Sequence, residues 1–194
     1  RLNSEQGKLR VKEHFQNFLV VSVAYITAFS LTLGFIFPLQ SMLSSNFQLE
    51  IGLLFLPHGV RVLAFYFLGW WAILYLLPAS YLFLILTNYS GAELNGLSPV
   101  VSLIACYLGY KIATFLPLLG ERAFTLNLWK FLLFAGAISS FANGVALSVL
   151  QHQGAEIVSV MGYLIGDVSG AIVCFLILMY AFRFARLLAN ANGA

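Results

Sequence analysis

Six apolar runs dominate this chain, and each is close to the ~20 residues a helix needs to cross a bilayer. They cover roughly Phe18 to Pro38, Ile51 to Leu68, Trp70 to Thr87, Pro99 to Leu119, Leu128 to Leu150 and Ile157 to Leu188. A backbone surrounded by hydrocarbon must satisfy its own N–H and C=O groups, so runs of this length fold as helices. The composition agrees. Hydrophobic residues make up 61% of the chain and charged residues 9%, against ~25% charged in a soluble domain. The expectation is an all-α membrane protein: a polytopic bundle of about six transmembrane helices forming one domain over 17–188, with a cytoplasmic segment at 1–16 and a short tail at 189–194. The sixth run is too long for the bilayer alone, so its end should project from the membrane or lie along it.

The basic residues orient the spans. Arg1, Lys8, Arg10 and Lys12 precede the first, Arg122 and Lys130 lie in or beside the loop between the fourth and fifth, and Arg183 and Arg186 lie near the C-terminus. With six crossings all three places fall on one side. The opposite loops hold Glu50, Glu93 and Glu156 and no Lys or Arg. The positive-inside rule then puts both termini in the cytoplasm. The net charge of +3 thus reports topology and does not point to nucleic acid.

The stretch "FLPHGVRVLAFYFLGWW", Phe55 to Trp71, interrupts the second run. Pro57 and Gly59 are expected to break this span, and the segment before them can enter as a partly re-entrant piece if protein covers its backbone. Gly69 is expected to make a tight turn, with Trp70 and Trp71 at the interface.

Charged residues at mid-bilayer are costly, about 2.5–3.5 kcal/mol each on insertion scales, and three fall deep within apolar runs. Arg61 is eleven residues from Glu50, Asp167 eleven from Glu156, and Lys111 twelve from Pro99. At 1.5 Å per residue the three share a depth of ~16–18 Å. Asp167 is the only acid at that depth, so an Arg61–Asp167 ion pair is expected, with Lys111 joining it or snorkelling to the surface. Such a pair could fasten the second span to the sixth, build a ligand or ion site, or face a partner. His58, beside the proline, could satisfy a carbonyl, line a polar pocket, or bind a metal or pigment.

Gly166 and Gly170 share one helix face and are expected, with Gly59, to let a neighbouring helix approach closely. Asn143, in the small-residue run "FAGAISSFANG", needs a polar partner. Cys106 and Cys174 lie inside apolar runs and read as buried packing. No phosphate loop, zinc signature or nucleophile elbow occurs, so no catalytic residue, metal or cofactor is assigned. Bound lipid is expected, and the eighteen Phe and nine Tyr leave contact with a pigment or quinone open.

Taken together, Pro57, Gly59, Gly69, Trp71 and Pro78, followed by Asp167 and Gly170, give the chain a pattern that resembles the first membrane-associated sensor domain family of bacterial histidine kinases and diguanylate cyclases. The resemblance implies a sensory or partner-binding module. No kinase or cyclase domain follows Ala194, so the expectation is a non-enzymatic, sensor-like or adaptor protein acting through another chain. Phe182, Arg183, Phe184 and Arg186 are its expected contact with a partner or with anionic lipid. An accessory subunit of a respiratory or photosynthetic complex, or a small-solute binding or transport component, are the alternatives.

Overall fold

The computed structural model describes residues 2–43, 52–89, 95–116, 128–152 and 157–192. Glu50, Glu93, Glu156 and Arg122, which helped to orient the spans, lie outside them. The described residues form α1 (Leu2–Leu31), α2 (Phe37–Leu43), α3 (Leu56–Leu68), α4 (Trp71–Tyr89), α5 (Ser98–Phe115), α6 (Leu128–His152) and α7 (Ile157–Asn192). A π-helical turn, Thr32–Ile36, joins α1 to α2 without a break, so the chain makes six helical rods and no strand among these residues. Five of the rods are long and apolar enough to cross a membrane, and the protein is an all-α, multi-pass membrane bundle.

Helix α1 already begins at Leu2, so the N-terminal segment and the first span are continuous as one helix. The wide turn before α2 has a local cause. Pro38 has no N–H, and in a regular α-helix its ring would press on the carbonyl of Gly34; a π turn opens that contact. At the other end of the chain, helix continues past Leu188 to Asn192.

The second span departs most from a simple crossing. α3 has 13 residues, about 20 Å of helix, too short for a ~30 Å hydrocarbon layer. Residues 52–55 are not helical, and the helix starts only at Leu56. Pro57 sits in the first helical turn, where its missing N–H costs nothing. The break therefore lies just before Pro57, and Gly59 is inside the helix. α3 ends at Gly69, whose φ of 58° lies in the left-handed region that glycine tolerates best. The turn is closed by the Gly69 N–H donating to the Phe65 carbonyl at 3.0 Å and the Ala72 N–H donating to Gly69 at 3.2 Å. Trp70 and Trp71 stack beside it at 4.2 Å, and His14 of α1 meets both the Trp71 ring and the Tyr75 hydroxyl.

This short helix is the hub of the fold. It packs against α1, α4, α5, α6 and α7, and Leu56, Pro57, His58, Gly59, Arg61, Val62, Ala64 and Phe65 are all buried. Burial of these residues in its first turns explains why an incomplete helix with an irregular entry is tolerated at membrane depth. Around it Tyr25, Phe65, Leu76, Leu103 and Phe131 fill one continuous core.

The entry is seated on α7. The Phe55 N–H donates to the Gly166 carbonyl at 2.8 Å, the Ser169 hydroxyl donates to the Leu53 carbonyl, and the Leu53 N–H donates to Gln40 Oε1 at 2.8 Å. A Cβ on Gly166 would lie 2.2 Å from the Gly52 oxygen, and one on Gly170 2.2 Å from the Phe55 oxygen. The glycine pair thus receives a non-helical backbone, not the neighbouring helix expected from its spacing. One turn further on, Gly59 makes the helix contact: a Cβ there would meet the Cys174 Cβ at 2.6 Å. Gly109 of α5, unremarkable in the sequence, does the same against Ser139 of α6, where a Cβ would come within 2.6 Å of the Cα.

Candidate functional site

Two buried polar clusters meet on α3, three residues apart. In the first, Arg61 is 6% exposed and surrounded by neutral groups. Its Nε donates to the Tyr25 hydroxyl of α1 at 2.7 Å, and Nη1 donates to Ser102 Oγ of α5 at 2.8 Å. Cys106 Sγ is 4.0 Å from the same nitrogen. Ser80 of α4 donates to the Tyr25 oxygen at 3.3 Å. The rings of Tyr25 and Phe55 lie 5.4 Å and 5.8 Å from the guanidinium carbon, at cation–π distance. Ser102 and Cys106 reach it together because they are one turn apart on α5, with Ser98 a turn before them.

In the second cluster, His58 is fully buried and Asp167 2% exposed. His58 Nδ1 lies 3.3 Å from Asp167 Oδ2. The contact is one of charge proximity, since Nδ1 has no well-directed hydrogen-bond partner. Nε2 is 2.9 Å from the carbonyl oxygen of Gly136. A carbonyl can only accept, so Nε2 carries the hydrogen. Oδ2 also accepts from Ser140 Oγ at 3.0 Å and from Asn143 Nδ2 at 3.4 Å, both on α6.

The expected Arg61–Asp167 ion pair does not form. A shared depth does not fix azimuth. Residues three apart on one helix are turned about 60° from each other, and here that rotation sends His58 toward α6 and α7 while Arg61 faces α1 and α5. Asp167 takes His58 as its partner, and Arg61 is solvated by hydroxyls, a thiol and rings. Lys111 joins neither cluster. It is exposed near the C-terminal end of α5, with Nζ 5.7 Å from the Tyr107 ring, a snorkelling geometry. His58 does satisfy a carbonyl, one of the roles open to it, and Asn143 finds Asp167.

Sequence reasoning missed Tyr25, Ser102 and Ser140. The i, i+4, i+8 series Ser98, Ser102, Cys106 was a usable signal, because it places three polar groups on one face of an apolar helix. Nothing local marks Tyr25 among nine tyrosines. Phe182, Arg183, Phe184 and Arg186 are all exposed along the end of α7. Among the described residues no group of three His, Cys, Asp or Glu side chains could hold a metal ion. The site is thus a pair of polar clusters at the centre of a membrane bundle. Comparisons with protein-family models, curated proteins and solved structures find no match for this chain.

Proposed function

We propose that this protein is a non-enzymatic, sensor-like or adaptor module of the bacterial inner membrane that acts through a partner protein. The observation that carries the reading is the coupling of the buried clusters to the exposed end of one helix. The α3 entry is hydrogen-bonded to α7, His58 pairs with Asp167 of α7, and the same α7 leaves the bundle with exposed side chains from Phe182 to Leu188. A rod of 36 residues is about 54 Å long, well beyond the hydrocarbon layer. A displacement of the α3 entry must displace α7 or break these contacts, and α7 carries the shift to its Phe- and Arg-bearing end. The resemblance to the first membrane-associated sensor domain family supports the same direction of signalling. Successive rods run antiparallel, so Arg10, Lys12, Lys130, Arg183 and Arg186 gather at one end of the bundle, which favours a cytoplasmic placement of that end.

A second reading, an accessory subunit of a larger membrane complex, is favoured by one feature. A groove of about 490 Å³ runs between α1 and α7, floored by Leu56, Val60 and Leu63 of α3 and walled by Val20, Ala24 and Ile177.

The test is removal of Arg183 to Ala194, followed by purification in mild detergent. A truncated protein that inserts and folds but loses its co-purifying partner supports the module reading. Retention of every partner at normal stoichiometry overturns it and moves the contact into the bilayer, where the groove lies.

A further inference from the structure

Arg61 stays protonated under all ordinary conditions. Asp167 is the only acid within the apolar runs, and its close contacts are His58, Ser140 and Asn143. Among the described residues no carboxylate lies within ion-pair reach of Arg61, whose hydrogen bonds go to neutral groups. Its charge has no direct counter-ion, in a region where an isolated ion is strongly disfavoured.

The protein meets only part of this demand. Arg61 has five N–H donors. Nε and Nη1 bond to Tyr25 and Ser102, and Nη2 donates to none of the described residues. One turn back along α5, Ser98 is buried on the same face and its Oγ has no partner among the described residues. Ser98 thus adds a hydroxyl donor one turn from Ser102, on the face of α5 that carries the partners of Arg61. Phe55 lies over the guanidinium and Phe29 packs on Phe55, at 5.8 Å and 5.3 Å. Apolar rings on that side strengthen the field that a bound charge would feel.

We infer that Arg61, with Ser98 one turn of α5 from its partner Ser102, binds a small monovalent anion at the centre of the bundle. The class is set by the site. One guanidinium without a direct counter-ion calls for a monovalent ion, and the donors are hydrogen-bond donors with no metal ligand among them. Tight packing by Tyr25, Phe55 and Ser102 excludes a bulky one. Chloride and formate both fit this description, one as a halide and one as a carboxylate. This gives the sensor-like reading its ligand class and rests on that reading for its purpose. Binding itself is measured on the purified protein without a partner, so its failure and a failure of the partner test are separate results.

The experiment follows thermal unfolding of the purified protein in an uncharged detergent as chloride, or separately formate, replaces gluconate at constant ionic strength. A ligand that binds the folded state raises the unfolding temperature once its concentration exceeds its Kd. For the wild-type chain the rise is expected with at least one of the two anions. In Arg61→Gln the concentration at which it begins should increase at least tenfold, and in Ser98→Ala severalfold. Arg61→Lys, which keeps the charge, should retain the response and serves if the glutamine variant does not fold. An unfolding temperature that is the same in all three anions overturns the inference, as does an Arg61→Gln or Ser98→Ala protein that responds like wild type.

Discussion

Gly170 of α7 faces the Phe55 carbonyl so closely that a Cβ on it would stand 2.2 Å from the oxygen and 2.3 Å from the carbon. Both atoms are backbone, and they belong to the stretch that leads the chain into the centre of the bundle. They cannot swing aside as a side-chain tip would. Gly170→Ala should therefore cost about 2–3 kcal/mol, at the upper end of overpacking effects. Gly34→Ala is the control, because nothing lies within 4 Å of its added methyl. Thermal unfolding in mild detergent reads both, and a Gly170→Ala protein as stable as the Gly34→Ala control would remove the proposed seat of the α3 entry.

Tyr25→Phe keeps the ring over Arg61 but deletes the oxygen that accepts from Nε at 2.7 Å. A hydrogen bond from a charged donor is worth about 1.5–3 kcal/mol. Ser102→Ala removes the acceptor from Nη1 and should cost a similar amount. Because the two side chains share one guanidinium, the double variant should differ from the sum of the singles. Strict additivity in chemical denaturation would show that Arg61 does not depend on this cradle.

Asp167→Asn separates the observed pairing from the one expected by depth. With His58 as partner, a double-mutant cycle of Asp167→Asn and His58→Gln should show a coupling of about 0.5–3 kcal/mol. The matching cycle with Arg61→Gln should be smaller, since no hydrogen bond or ion pair joins Arg61 to Asp167. A larger coupling to Arg61 than to His58 would reverse the assignment.

Topology is checked by reporter fusions. Fusions within Asn88 to Gly96 and at the C-terminus should report opposite sides of the membrane, with the C-terminal one cytoplasmic. Agreement of the two reporters would break the six-rod arrangement as a crossing pattern.

Much of this fold is legible in the chain itself. Long apolar runs in hydrocarbon have one way to satisfy their backbone, so the helices and their approximate bounds follow from residue type and length. Pro57 and Gly69 mark where the second run starts and stops being helical, because each acts through its own φ and its own N–H. The three intramembrane charges are also visible, since burial of an ion is costly wherever it occurs. What the sequence cannot settle is which neighbour each buried group meets. Depth along a helix is additive in residue number, but the direction in which Arg61 and His58 point depends on how α3 is rotated among five other rods. That rotation is decided by packing over the whole bundle: by Gly59 against Cys174, Gly170 against Phe55 and Gly109 against Ser139. The same contacts turn His58 toward Asp167, give Arg61 to Tyr25 and Ser102, and make a glycine pair that looks like a helix-packing motif into the seat of an extended segment. Local chemistry determined which residues need partners, and only the tertiary structure decided who the partners are.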